Sequence, residues 1–315
     1  MGSTLTIRAP ERYDLARDVC SYGYFLLAPN HWDTQRGRLL RVLALADGPA
    51  LASITQPRAG ILRARFDRRL SRPEQHTARA RIVRMTAVDT SDDEVRAFHR
   101  VDPRWKKSGR GRLFRSPTLF EDVIKTVTSC NVTWPSTVHM NTRLCEVCGR
   151  KSPSGARSFP GAKKLARTRP ATLRGRCRVG YRDERIVALA KLFARGAIDE
   201  PWLERDATDD EAFGFLKSLP GIGPYAAANI MQLMGRTSRL ALDTESVRHA
   251  RTVLGMRGEN ASILKRLERH YEPFGAHKFR SYWFELWDFY ESKAGPAHEW
   301  QRETSAAMFT AANLG

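Results

Sequence analysis

The 315-residue sequence is poor in acid, in lysine and in cysteine. Asp and Glu number 34 against 53 Lys and Arg, leaving a net charge of +19 and a pI near 10.3. That balance favours a polyanionic partner and a steered, salt-sensitive association. Lysine supplies only 11 of the cations against 42 arginines, an excess that GC-rich coding also produces, so the charge names a polyanion and nothing finer. Five cysteines, an odd number, do not make the disulfide framework of a secreted scaffold. Cys145 and Cys148 form a C-x-x-C, but no second pair stands at zinc spacing, and the two read as buried positions on one helical face. The eight histidines form no H-E-x-x-H or related pair. There is no run of about 18 apolar residues, no repeat of roughly 20 to 50 residues, and no charged-then-apolar leader after Met1-Gly2-Ser3-Thr4. These absences predict a soluble intracellular monomer, in a bacterial cytoplasm or nucleoid, with two or three lobes and no membrane partner.

What is present is concentrated in Leu216 to Leu254, LKSLPGIGPYAAANIMQLMGRTSRLALDTESVRHARTVL. Thr208 and Glu211 have capping-box spacing, so a helix begins near Asp209 and directs Phe213, Phe215 and Leu216 toward a core. Leu219-Pro220-Gly221-Ile222-Gly223 ends it. Pro224 suits the first position of a second helix, running through Ala226 to Met234 and ending at Gly235. The helix-hairpin-helix thus spans 209–235. Its two glycines leave backbone uncovered, so amides at the start of the second helix can approach an anion. The same glycines also read as a mere tight turn. Asp243 follows, and Asp243-Thr244-Glu245-Ser246 reads as the N-cap of a helix ending near Leu254 and Gly255. A cap is also a rigid place to hold a reactive carboxylate.

The first hundred residues differ. Thr4 to Ala9, Leu39 to Ala46, Gly60 to Phe66 and Ala80 to Thr86 are short, partly alternating and punctuated by Pro, Gly and Asp, which predicts an antiparallel sheet. Arg63, Arg65, Arg68 and Arg69 read as a solvated sheet face or as contacts to a polyanion. Trp105 to Arg115 reads as a basic linker or a flexible joint. After it the pattern is helical, with loops near Gly149 to Ala156 and Thr168 to Gly180 and weak signals from Gly295 onward. The fold class is therefore α+β: a β-rich domain over 1–104, two mainly helical lobes over 105–300, and a tail over 301–315.

From roughly Ser116 to Glu291 the sequence resembles the helix-hairpin-helix (HhH-GPD) DNA glycosylases, nearest to the alkylpurine (3-methyladenine) DNA glycosylase II and 8-oxoguanine branches. The carriers are LPGIG and the aspartate that follows it by about twenty residues. The resemblance implies that Leu219, Gly221, Ile222 and Gly223 clamp a DNA strand, with a monovalent cation at the backbone of Gly221 and Gly223. It implies that Asp243 acts at the anomeric carbon of a flipped nucleotide. Bifunctional members carry a Schiff-base lysine where this chain has Tyr225, which predicts hydrolysis without lyase activity. Lys217 precedes the hairpin and reads as a solvated charge. Ser116 to Asn131 resembles the helix that ends in an intercalating loop, with Asn131 and Val132 at the plug position; Asn131 also reads as a helix C-cap. Tyr225, Tyr282, Trp283 and Glu285 fall where the resemblance puts a base pocket. Yet Phe279, Trp283, Leu286 and Tyr290 also make a core stripe. Gly180 to Arg185 resembles a turn that brings Arg182 near phosphate, although a solvated helix start suits Arg182 and Arg185 as well.

No cysteine lies beyond Cys177, so the iron–sulfur cluster of some relatives is not expected, nor any other cofactor. The cleft is expected between two helical lobes, with the hairpin on one wall and Ser129 to Trp134 on the other. The reading is a monofunctional glycosylase acting on double-stranded DNA that contains a modified base, with alkylated purines favoured. Oxidised, deaminated or hypermodified bases, and a non-catalytic DNA-binding protein, are the alternatives.

Overall fold

In the computed structural model, which describes residues 2–302, five strands form one antiparallel sheet: β1 (Thr4–Arg8), β2 (Asn30–Asp33), β3 (Arg38–Leu45), β4 (Gly48–Arg58) and β5 (Ile61–Phe66), in the order β1-β5-β4-β3-β2. Alternation decides its faces. Leu5, Ile7, Leu39, Leu43, Ala52, Ile54, Leu62 and Ala64 point inward and are buried, whereas Arg65 lies exposed on the other face, opposite Thr4 and Ser53. Arg68 is not part of that face: it forks onto Glu74, with Nη2–Oε1 at 2.5 Å. A short α1 (Leu15–Val19) sits between β1 and β2.

The segment Ala80 to Thr86, expected as a strand, belongs to helix α2 (Arg72–Met85). Ser71 and Glu74 close a capping box, Pro73 occupies the first turn, and Ala78, Ile82 and Met85 are buried at spacings of four and three. That period is helical; the apparent alternation came from arginines between apolar residues. α3 (Asp92–Val101) follows, again from a capping box, at Ser91. The basic stretch after Trp105 is not a loose joint. Arg112 is buried against Asp92 at 2.7 Å, Arg110 binds Asp288 and Glu291, and Phe114 is fully buried.

Helices α4 (Leu119–Ser129), α5 (Trp134–Cys148), α6 (Ala162–Ala166), α7 (Pro170–Arg176), α8 (Asp183–Ala194), α9 (Asp209–Ser218) and α10 (Pro224–Leu233) pack into one apolar core. α7 occupies part of the expected Thr168 to Gly180 loop, where Pro170 starts the helix and Leu173 and Cys177 are buried one turn apart. A π-helical turn spans Trp202–Asp206. The chain then returns to the first core: α11 (Thr244–Thr252), α12 (Asn260–Tyr271) and α13 (Lys278–Ala294) join the sheet and α2. Past Gly295 the chain stays packed as far as Trp300, which is buried against Trp287; residues 303–315 of the expected tail lie outside the described residues. Among the described residues no helix is long and apolar enough to cross a membrane.

Arg41 occupies an inward position of β3 and its guanidinium reaches Glu121 of α4 at 2.9 and 2.5 Å. Asn30 accepts from Arg41 at 2.8 Å, and Lys125, fully buried, approaches Glu121 at 2.8 Å. Burial alone would raise the Glu121 pKa, but Arg41 and Lys125 outweigh it and bring the carboxyl to about 2. A depressed carboxyl stabilises the fold above its unfolded value of 4.5 and loses that contribution as pH falls toward 2. Glu121→Gln is therefore expected to cost about 3–5 kcal/mol near pH 7, since it strands two buried cations, and progressively less below pH 4.5. Urea unfolding at pH 7 and pH 3 measures the difference.

Candidate functional site

The two cores meet along a cleft of about 850 Å³. Tyr22 and Tyr24 line it from the turn after α1, Val127 and Ser129 to Trp134 from the end of α4, Gly221 and Gly223 to Ala226 from the hairpin, and Asp243 to Glu245 from the start of α11. The closing wall is α13, through Phe279, Tyr282, Trp283, Leu286 and Tyr290.

The hairpin forms as its sequence dictates. Thr208 and Glu211 close the capping box of α9, Leu219 ends the helix, and Leu219 O accepts the Ile222 amide at 3.1 Å. Leu219 and Ile222 are buried and anchor the turn in the second core; neither lines the cleft. Gly221 has φ +76°, and a Cβ there would lie 2.5 Å from Arg185 Cδ, so glycine is required on both counts. Gly223 is the N-cap of α10, with no side-chain capping bond and nothing within 4 Å of a Cβ. The first amides of α10 have no helical partner, and this open backbone can receive an anion.

Opposite the hairpin, α4 ends with Cys130 as C-cap, and Asn131 lies beyond it in the left-handed region at φ +53°. Asn131 is thus not the cap; it is exposed at the cleft with Val132 half-buried beside it. Arg182 secures this turn. Its guanidinium donates to Val127 O at 3.1 Å and to Cys130 O at 2.5 Å, and the residue is only 4% exposed. The expected phosphate contact from Arg182 gives way to a buried strut. The exposed groups of this turn are Tyr181, 53% exposed, and Arg185, whose guanidinium lies 5.0 Å from the Tyr181 ring.

Asp243 caps α11. Its Oδ1 accepts the amides of Glu245 and Ser246, both at 3.0 Å, and lies 3.2 Å from Ser246 Oγ. Ser246 Oγ in turn accepts the Asp243 amide at 3.0 Å and stands 2.8 Å from the buried Tyr282 hydroxyl. With two donors converging on Ser246 Oγ, its own proton points to Oδ1. Oδ2 accepts from no described residue and is left for the cleft. Burial raises the Asp243 pKa, and the Ser246 bonds oppose that rise.

Tyr225 is half-buried at the cleft, and desolvation pushes its hydroxyl well above the usual phenol value, so it stays neutral. Trp283 donates from Nε1 to Ser21 O at 2.8 Å and stacks between Phe279 and Trp287, at 5.9 and 5.4 Å. The core stripe and the pocket wall are here one surface. Glu285 does not join it. Its carboxylate is held by His249 Nε2 at 2.9 Å, by the Tyr271 hydroxyl at 2.5 Å and by Arg104, which outweigh burial and bring it to about 2. One residue's rotation about the helix separates it from the cleft, so it has no part in reading a base. Lys217 is exposed with Nζ over Phe213, away from the cleft.

Three groups at the cleft escaped the sequence. Glu245, fixed by Arg248 at 2.9 Å and by Tyr290, adds a second carboxylate beside Asp243. Tyr22 donates to Asn229 Oδ1 at 2.7 Å, and Asn229 Nδ2 donates to Thr126 Oγ1 at 3.0 Å, closing the floor. Trp134 lies against Gly23, whose Cβ would meet the indole at 3.0 Å. No local signal tied 22 to 229 or 23 to 134. Tyr181 was legible in principle, as an aromatic between a glycine and two arginines. Cys145 and Cys148 are both buried. Among the described residues no group of three or more His, Cys, Asp and Glu is placed to hold a metal ion.

Ser246→Ala is expected to raise the Asp243 pKa further, because two opposing bonds become one; a carbon-13 titration of the carboxyl reads it. A raised carboxyl favours the fold only below its unfolded value and opposes it once pH exceeds the folded value. Asp243→Asn keeps the Oδ1 cap and removes the charge, so its melting temperature at pH 7 should equal or exceed that of the parent.

No family model matches the sequence, nor does any curated protein at a significant level. Solved structures do. The 3-methyladenine DNA glycosylase of Archaeoglobus fulgidus superposes with a TM-score of 0.67 at 16% identity, over 90% of this chain and 98% of its own. The 8-oxoguanine glycosylase/lyase of Clostridium acetobutylicum gives 0.66 at 18% identity, over 91% and 98%. Its complex with duplex DNA carrying cytosine opposite 8-oxoguanine gives 0.65 at 17% identity, over 93% and 98%. An amino-terminal antiparallel sheet and helical lobes around a helix-hairpin-helix are thus the fold that this chain shares with 3-methyladenine and 8-oxoguanine DNA glycosylases.

Proposed function

We propose that the protein is a monofunctional DNA glycosylase that draws a modified base, an alkylated purine in the favoured case, out of duplex DNA and hydrolyses its N-glycosidic bond. The observation that carries this reading is the Asp243 carboxylate, tied down through Oδ1 with Oδ2 left to an aromatic-walled cleft that no lysine lines.

The open amides at the start of α10 hold a phosphate next to the target nucleotide, and a monovalent cation at the hairpin backbone would add positive charge there. The flipped base leaves a gap in the stack that Asn131 and Val132 are placed to fill. Tyr22, Tyr225 and Trp283 offer aromatic faces to the base. Cleavage builds positive charge on the sugar as the base departs with the bonding electrons. Asp243 Oδ2 stabilises that charge and takes a proton from the attacking water, leaving an abasic site and a free base. A neutral phenol at Tyr225 forms no Schiff base, so water alone attacks the sugar and the strand stays intact.

Alkylated purines are favoured because the wall is aromatic and carries two carboxylates, Asp243 and Glu245. A base with a positive charge is attracted by π faces and by anions, and it is already a good leaving group. The left-handed Asn131 at the plug supports the second reading, an oxidised or otherwise modified base, since its amide can bond an orphaned partner base.

Mass spectrometry of bases freed from duplexes carrying alkylated, oxidised, deaminated or hypermodified bases tests the assignment. Release of alkylated purines is expected from the parent, and Asp243→Asn should slow it by about 10³-fold while still binding duplex. Full activity in that variant removes Asp243 from the chemistry; binding without release of any base points to a DNA-binding module. The single-turnover rate should fall as pH drops through the Asp243 pKa, at a value above the ordinary 3.8, because burial raises it. Borohydride should trap no covalent complex with the parent, and a trapped complex would overturn the assignment to hydrolysis alone.

A further inference from the structure

Between Lys163 and Arg185 the chain carries nine Lys and Arg against two carboxylates. Asp183 is buried and paired with Arg174 at 2.8 Å, while Arg182 is the buried strut already described. What stays on the surface is Lys163, Lys164, Arg167 and Arg169 around α6, and Arg176 and Arg178 at the end of α7, all of them exposed. None forms an ion pair with a described residue. The arginines elsewhere near the protein's middle behave differently: Arg41, Arg68, Arg84, Arg104, Arg110 and Arg112 are all paired with carboxylates and serve the fold.

Two observations join this surface to the cleft. α6 and α7 both pack against α8, the helix that begins right after the Arg182 turn. The turn after Arg178 leads directly to exposed Tyr181 and to Arg185, which touches that ring and would clash with a Cβ on the hairpin's Gly221. Both residues line the cleft mouth. A seven-residue α7 is about 10 Å long, a length over which roughly six phosphates of duplex DNA pass.

We propose that the exposed cations of α6, α7 and the Arg178 turn form a second DNA-docking surface that grips the phosphates of the duplex arm flanking the nucleotide in the cleft. The inference rests on the reading that the cleft takes a nucleotide from duplex DNA. It assigns to the surface affinity and register, not chemistry, because phosphate contacts position without reading sequence. The strand that leaves the hairpin amides then passes Tyr181 and Arg185 onto α7.

The test is equilibrium binding of the full chain to undamaged duplexes of increasing arm length over a series of salt concentrations. With Lys164→Gln, Arg176→Gln and Arg178→Gln combined, the slope of log affinity against log salt should fall by about 3, and affinity at physiological salt by about tenfold or more. Lengthening one arm should strengthen binding by the parent and not by the variant. The single-turnover rate of base release at saturating enzyme should be unchanged. If the triple variant melts early, Lys163→Gln, Arg167→Gln and Arg169→Gln replace it, since none of these side chains takes part in the core. Arg63→Gln with Arg65→Gln, on the solvated sheet face, is the control for total charge. Unchanged affinity and slope in the α6–α7 variants, or an equal loss in the sheet control, overturns the surface. Because undamaged DNA is used, failure to release any base sinks the enzymatic reading and leaves this test standing.

Discussion

A carboxylate mostly removed from water and held at the start of a helix is the constraint on which the cleft depends. Desolvation alone drives Asp243 toward its neutral form. The N-terminus of α11 opposes that drive with amides from Glu245 and Ser246 and with the partial positive charge of the helix end. Both amides go to one oxygen, which fixes the carboxyl plane and leaves the other oxygen facing the cleft. The Ser246 and Tyr282 hydroxyls extend this arrangement into α13, so the carboxylate is registered against the aromatic wall of the cleft. A surface aspartate would be easier to ionise and much less rigid.

That geometry requires two cores to be held against each other across a polar seam. The Tyr22–Asn229–Thr126 bonds and the Arg41–Glu121–Lys125 cluster connect the sheet-bearing core to the helical one. Groups so deeply buried are tolerated only when bonded, and Tyr22–Asn229 and Arg41–Glu121 make their bonds across the junction. The cleft is consequently a product of assembly: its floor, the Asn131 turn, the hairpin, the acid and the α13 wall arrive from five separated parts of the chain.

The hairpin, the helices around it and the cap at Asp243 were legible because their causes are local. Capping boxes, a proline at a first helical position and glycines at a turn act over three or four residues, and α9, α10 and α11 begin where those rules put them. Legibility failed where local signals conflict. In Ala80 to Thr86, arginines interleaved with apolar residues imitate strand alternation, and only burial of Ala78, Ile82 and Met85 reveals the helical period. The strand β4 begins with Gly48-Pro49, residues that punctuate chains and so disguise a strand. Glu285 and Trp283 are two residues apart on α13, yet one faces His249 and Arg104 while the other reaches the cleft. Sequence spacing does not reveal the helix's rotation about its axis.

By itself the sequence determined the basic character of the protein, the α+β order of its elements, the glycine turn at Gly221 and Gly223, and the acid that follows it. Each is a property of composition or of a few neighbouring residues. Only tertiary structure decided which side chains share the cleft, that Arg182 is a strut, that Glu285 is bound elsewhere, and that Glu245, Tyr22, Asn229 and Tyr181 belong to the site. Those outcomes depend on which faces of distant elements are pressed together, and packing of that kind is settled by the whole core at once.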